Sequence, residues 1–395
     1  SRELCTVGGM VANNSGGEKT LSYGKTEQYI EELSMVLSDG NEYVFRALSP
    51  AELSEKKSAG TFEGEIYRKM SALIQENRKL IAGAKPQVTK NSSGYFLWNV
   101  SPSTGSSPEG SRLSRAGQAA SQTFDLTKLI VGSQGTLGFV TKIKFRLIRP
   151  QPCSRLLVIF LKDLSPLADL TRLILAYKPE SFESYDDNTF NIALRFFAEI
   201  LKRIKGNIFR LALSFIPEAW MILRGGIPKL VLLVEFTAQT RQEADKQARA
   251  AGQELKKIYP SLKMRVTKSD EETEEFWLIR RESFNLLRHH VRGLRTAPFI
   301  DDLSVRAELL PEFLPEVYTI LGRYKLLYTV AGHVGDGNFH IIPLMDFSDP
   351  KIKEIITNLS KEVYALVMKY KGSITGEHND GLIRTPFVKE EFGES

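Results

Sequence analysis

From residue 156 onward the chain runs strand, helix, strand and then again strand, helix, strand, and this doubled rhythm restricts the fold more than any other feature. Residues 156–161 are an unbroken apolar run, 166–177 carry apolar residues at helical spacing, and 182–185 form a second short run. Residues 230–237, 241–258 and 264–267 repeat the order. Short continuous apolar runs read as strands buried on both faces, and a period near 3.6 reads as helix. Two such halves predict a ferredoxin-like α+β layer.

The flanking segments extend this picture. Residues 30–37 and 43–48 flank Ser38-Asp39-Gly40-Asn41, an Asp-Gly hairpin signal. Residues 66–81 read as an amphipathic helix, whereas 101–122 are rich in Ser, Gly and Pro without apolar period and read as a mobile surface insertion. A strand over 139–148 ends at Pro150 and Pro152. Further on, 274–290 reads as helix, 326–331 and 339–344 as strands, and 352–370 as a long helix with an apolar stripe. The expected division is a first domain over 1–150, with an insertion at about 50–124, and a second over 151–395. A length of 395 residues and 42% hydrophobic content suit two cores in an ordinary soluble globular protein. No Met precedes Ser1 and a glycine cluster follows at once, so the chain is expected to be a fragment. Cys5 and Cys153 are too few for a disulfide scaffold or a four-thiolate cluster.

Gly332-His333-Val334-Gly335-Asp336-Gly337-Asn338-Phe339-His340 is the strongest local signal. Its glycines, Asp and Asn oppose helix, so a turn between two strands folds His333 back towards His340. Converging imidazoles suit a divalent ion such as Zn or Mn, with a carboxylate completing three ligands. The alternative is one turn-capping and one core histidine. In Gly376-Glu377-His378-Asn379-Asp380-Gly381 an extended backbone sends Glu377 and His378 to opposite sides, one towards a metal and one towards a substrate proton; a solvated loop is the alternative. Gly8-Gly9 and Gly16-Gly17 permit close approach of backbone to a phosphate or a flat ring, but fit neither the dinucleotide fingerprint nor a P-loop, and equally make plain turns. Arg280 or Arg281, on a helix with Trp277, suits a substrate carboxylate or a solvated pair with Glu282.

The net charge of 53 − 47 = +6 is mild and neither demands nor excludes an anionic partner. Residues 208–223 are the most apolar stretch but are interrupted by Arg210, Pro217 and Glu218, so no membrane span is expected. The basic, aromatic residues over 195–210 can lie on an anionic membrane surface or pack on their own domain.

Val7-Gly8-Gly9-Met10-Val11-Ala12-Asn13-Asn14-Ser15-Gly16 with Tyr23-Gly24, Val131-Gly132-Ser133-Gln134-Gly135-Thr136-Leu137-Gly138 after Asp125-Leu126-Thr127, GHVGDGNFH and GSITGEH together resemble the FAD-dependent dehydrogenases of the vanillyl-alcohol-oxidase type, in the branch acting on D-lactate and glycolate. The resemblance implies an FAD-binding PCMH-type domain, incomplete at its N-terminus, followed by the ferredoxin-like cap. It implies FAD contacts at Gly8, Gly9, Asn13, Gly16, Gly132, Gly135, Gly138 and the backbone at Val140. It further implies metal ligands at His333, His340 and Glu377, a base at His378 and a substrate-carboxylate arginine at Arg280.

The family's upstream pyrophosphate-cradling segment is absent from this sequence, and Gln134 stands where the family usually has Glu. Ile300-Asp301-Asp302 offers no lysine for a distal carboxylate, which favours a small monocarboxylate such as D-lactate or glycolate. The expected function is metal-assisted oxidation of a D-2-hydroxy acid, with electrons passing to a cytochrome, quinone or iron–sulfur partner rather than to NAD, in the cytoplasm or at the membrane's inner face, and with no nucleic-acid partner. The alternatives are an FAD-dependent sugar or alcohol oxidase and a catalytically inactive flavin electron-transfer subunit.

Overall fold

The computed structural model describes residues 4–101, 123–189, 191, 226–290 and 293–394. The basic, aromatic segment over 195–210, the apolar stretch over 208–223 and all but the first residue of the 101–122 segment lie outside the described residues. The chain forms two units, one of Ser1–Gln87, Asn91–Arg149 and Thr375–Ser395, the other of Val88–Lys90 and Pro150–Ile374. The units divide after Arg149, next to Pro150, and the last segment, Thr375–Ser395, groups with the first unit.

In the first unit β1 (Ile30–Val36), β2 (Glu42–Arg46) and β3 (Phe139–Phe145) form an antiparallel sheet in the order β2-β1-β3. The hairpin at Asp39-Gly40 forms as its sequence predicts, with Asn41 N–H donating to Asp39 at 3.1 Å. Leu33, Met35 and Phe45 of this sheet share a core with Val11, Tyr67, Phe124 and Ile130. Most of the expected insertion is therefore structural: helices span Pro50–Ser58, Phe62–Glu76, Arg78–Ala84 and Leu97–Val100, and Tyr67, Ile74 and Val100 are core residues. The single helix expected over 66–81 breaks at Asn77, whose side-chain amide donates to the Leu73 carbonyl at 2.9 Å and so competes with the helix ladder.

The second unit holds β4 (Cys153–Leu161), β5 (Ser181–Asp186), β6 (Leu230–Ala238), β7 (Lys263–Val266), β8 (Arg295–Thr296), β9 (Leu303–Ser304), β10 (Leu327–His333) and β11 (Asn338–Met345). They make one antiparallel sheet in the order β7-β4-β6-β5-β10-β11-β8, with β9 also on β11. Helix Leu167–Ala176 joins β4 to β5 and helix Arg241–Ile258 joins β6 to β7. The order β7-β4-β6-β5 is thus the ferredoxin-like arrangement, extended by the hairpin β10-β11. Every residue of β6 is buried, because helix Arg241–Ile258 contributes Ala244, Ala248, Ala251 and Leu255 to the core while helix Asp270–His290 packs Phe276, Trp277 and Ile279 against Leu156, Val158 and Val231. That double cover explains why these strands read as continuous apolar runs. Helix Leu310–Arg323 was hidden by Pro311 and Pro315, yet buries Leu310, Phe313, Leu314, Val317 and Leu321. Among the described residues no helix is long and apolar enough to cross a membrane.

Candidate active site

The hairpin β10-β11 pairs His333 with Asn338 and Ala331 with His340, so the two histidines are diagonal neighbours on one face of the sheet. Between the strands, Val334–Asp336 make a single 3-10 turn, and Gly337 closes it with φ at +68°. A Cβ on Gly337 would lie 1.9 Å from the Val305 carbonyl oxygen, so both the left-handed backbone and the close approach require glycine. The imidazole rings meet edge to face, their centroids 5.2 Å apart and their planes at 87°.

Each ring is held through Nδ1. His333 Nδ1 lies 2.7 Å from Glu183 Oε1, and His340 Nδ1 lies 3.0 Å from Asp301 Oδ1. An ionised carboxylate only accepts, so each Nδ1 donates, and in the neutral ring the lone pair is then on Nε2. Two neutral imidazoles with carboxylate-held Nδ1 atoms are the donor chemistry a divalent ion requires. The second oxygen of Glu183 forms an ion pair with Arg280, which projects from helix Asp270–His290. Glu183 is 1% exposed and Arg280 is 10% exposed. Below the turn, Lys90 and Asp336 form a wholly buried ion pair at 3.3 Å. Burial pushes the Asp336 carboxyl up, and the charge of Lys90 pulls it back. Asn338 donates to Asp302 at 2.9 Å and to the Leu303 carbonyl at 3.1 Å, which ties the hairpin to β9.

Glu377 and His378 belong to the first unit and lie in a bend rather than on an extended segment, with Glu377 buried and His378 exposed. Asn13 donates to the Glu377 carbonyl at 3.0 Å, and Lys25 donates to the carbonyls of Gly376 at 3.1 Å and Asn91 at 2.8 Å. Asn379 donates to the Gly132 carbonyl at 3.0 Å, and Gly381 N–H to Gln134 Oε1 at 3.1 Å. Gln134 accepts in that bond, a task the family's glutamate performs equally well.

The glycine-rich run expected to make turns is instead helical over Val7–Asn13, because Thr6 caps it by accepting from Gly9 N–H at 3.1 Å. Its last turn meets the second glycine loop, with Gly132 N–H on the Val11 carbonyl at 3.0 Å and Gln134 N–H on the Ala12 carbonyl at 2.8 Å. The predicted FAD glycines then sort into two kinds. A Cβ at Gly8 or Gly135 meets nothing within 4 Å, the open backbone that a flat cofactor needs. A Cβ at Gly138 would lie 2.5 Å from the Val36 carbonyl, and Gly132, Gly135 and Gly138 hold φ at +88°, +75° and +151°, so the backbone itself needs glycine at these three, whereas a Cβ at Gly9 or Gly16 meets the Thr6 or Thr20 hydroxyl at 3.0 and 2.7 Å. Val140 pairs with Met35 in the sheet.

Sequence reasoning missed Glu183, Lys25 and Lys90, and met Asp301 only as the lack of a lysine. The one available signal for Glu183 was an acidic residue within a short run that is otherwise a buried strand.

The C-terminal domain of FAD-linked oxidases matches residues 151–395, and an FAD-binding domain family matches residues 1–45. A D-2-hydroxyglutarate dehydrogenase of Pseudomonas putida is 27% identical over 394 residues, 98% of this chain and 36% of its own. Glycolate oxidase subunit GlcD of Bacillus subtilis is 22% identical over 392 residues, 98% of this chain and 63% of its own. This chain therefore spans about a third to two thirds of the length of these relatives. Among solved structures, an alkyldihydroxyacetonephosphate synthase shares the fold at a TM-score of 0.55 and 12% identity, over 94% of this chain and 53% of that one.

Proposed function

The chain belongs to the FAD-linked oxidases, and from that premise we propose that it oxidises a D-2-hydroxy acid to the 2-oxo acid and passes the electrons to an acceptor other than NAD. FAD supplies a two-electron acceptor for the C2 hydride, and a divalent ion, Zn or Mn, supplies Lewis acidity towards the hydroxyl oxygen. In this reading Gly8 and Gly135 leave room for the cofactor, with Gly9, Asn13, Gly16, Gly132, Gly138 and Val140 shaping its backbone cradle. His333 and His340 would hold the ion through Nε2, with Glu377 added as third ligand on the strength of the sequence resemblance. Arg280 binds the substrate carboxylate and fixes which C2–H faces the flavin. His378 takes the hydroxyl proton on a ring nitrogen.

The observation that carries the reading is the histidine pair with both Nδ1 atoms held by carboxylates. Asp301 is engaged by His340 and Asp302 by Asn338, so this position presents no cation to a distal carboxylate, which keeps D-lactate and glycolate ahead of D-2-hydroxyglutarate. A cytochrome, a quinone or an iron–sulfur protein is the acceptor class such chemistry calls for.

The test measures bound metal and flavin bleaching with D-lactate, glycolate, D-2-hydroxyglutarate and L-lactate. Bleaching by D-lactate or glycolate but not by L-lactate is expected, and His333→Ala or His340→Ala should lower metal affinity and turnover by about 100-fold or more. Turnover that survives both substitutions moves the protein to metal-free alcohol oxidation. Bleaching by none of the four acids leaves only an electron-transfer role.

A further inference from the structure

Glu183 divides a single buried carboxylate between two partners of different purpose. Oε1 accepts from His333 Nδ1 at 2.7 Å while Oε2 pairs with the Arg280 guanidinium, and Glu183 itself is 1% exposed. Asp301 does the first of these jobs for His340 at 3.0 Å. The three residues of the Glu183 group come from three elements: β5, β10 and helix Asp270–His290. Ser184 pairs with Gly332 across β5 and β10, which fixes Glu183 beside the histidine that follows Gly332.

We propose that Glu183 is a positioning residue that sets both the His333 tautomer and the direction of the Arg280 fork, so that one side chain aligns the metal ligand and the carboxylate clamp. The idea rests on the functional reading above for what those two residues bind. A charged acceptor on Nδ1 raises the basicity of Nε2 and fixes the ring plane, an effect typically worth 10–100-fold in metal affinity. A guanidinium braced by one carboxylate loses less freedom on clamping a second. Asp301 provides the comparison, because it holds the other ring of the pair.

The experiment compares the full chain with Glu183→Gln and Asp301→Asn, using Zn or Co titration, the 15N imidazole spectrum of its five histidines, and KM against kcat for the best hydroxy acid. Both variants should lose metal affinity about 10–100-fold. Glu183→Gln alone should also raise KM about tenfold or more, and should turn the single Nδ1–H form of His333 into a tautomer mixture. An unchanged His333 spectrum, or a KM rise no larger in Glu183→Gln than in Asp301→Asn, overturns the proposal. If wild type takes up neither Zn nor Co, the functional reading fails, while the imidazole spectrum still decides whether Glu183 fixes the ring. If Glu183→Gln does not fold, Glu183→Asp keeps the charge one methylene short, and the same three signs are expected.

Discussion

Strand β5 ends in Asp186, which is fully buried, and burial pushes its carboxyl up to about 6, against the opposing bond from Thr189 N–H at 2.9 Å. From its ordinary 3.8 to about 6, the native state binds more protons at Asp186 than the unfolded chain does. Stability from this group is therefore complete below the lower value and is lost as pH rises through the upper one, by about 3 kcal/mol in total. Asp186→Asn keeps an acceptor for Thr189 and removes the charge. It should raise the denaturant midpoint at about pH 8 and leave it nearly unmoved near pH 3.5. An equal shift at both values would reject burial of charge as the cause. Single residues were legible where their chemistry is local. His333 and His340 announce themselves through the glycines between them, whereas Glu183, 150 residues before His333, becomes visible only once the strand register is known.

Elements were legible where one physical signal dominated and opaque where two competed. The Asp39-Gly40 hairpin, helix Arg241–Ile258 and the β10-β11 hairpin each obey one pattern, and each forms close to its expected place. In helix Val7–Asn13 the low propensity of two glycines outweighs the Thr6 cap on the page but not in the fold. Prolines hid helix Leu310–Arg323 in the same way, although Pro311 sits in its first turn, where no N–H is needed. Gly8 offers a test at this scale, since it is helical and a Cβ there meets nothing within 4 Å. Gly8→Ala should stabilise the protein by up to about 1 kcal/mol through lost backbone freedom in the unfolded state. It should at the same time weaken FAD retention, read by titrating the bound-flavin absorbance. A stabilised variant with unaltered FAD affinity would place the cofactor elsewhere.

Across the whole molecule the chain passes between its two units at 87/88, 90/91, 149/150 and 374/375. Thr375–Ser395 completes the first unit through the Thr375 carbonyl on Ser92 N–H at 2.8 Å, Asn379 on Gly132, and Asp380 on Ser93 Oγ at 2.9 Å and Gly94 N–H at 2.8 Å. Deleting 375–395 should therefore strip hydrogen-exchange protection from residues 91–94 and 132–134 while β4 and β6 keep theirs. Loss in β4 and β6 instead would mean that this segment supports the second unit. The sequence offered the prolines as a boundary signal and assigned the tail by its position, because bonds spanning 247 residues leave no local trace.

Those four crossings also impose an order on synthesis. When the ribosome has released residue 149, the first unit has its sheet but lacks the tail over 375–395 that braces its glycine loop, and residues 150–374 must be made in between. At about 5–20 residues per second the wait is some tens of seconds. Until it ends, the glycine-rich helix and loop lack the bonds from Asn13 to Glu377 and from Asn379 to Gly132. Residues 150–374 of the second unit are therefore made before the bonds that complete the glycine-rich helix and loop can form.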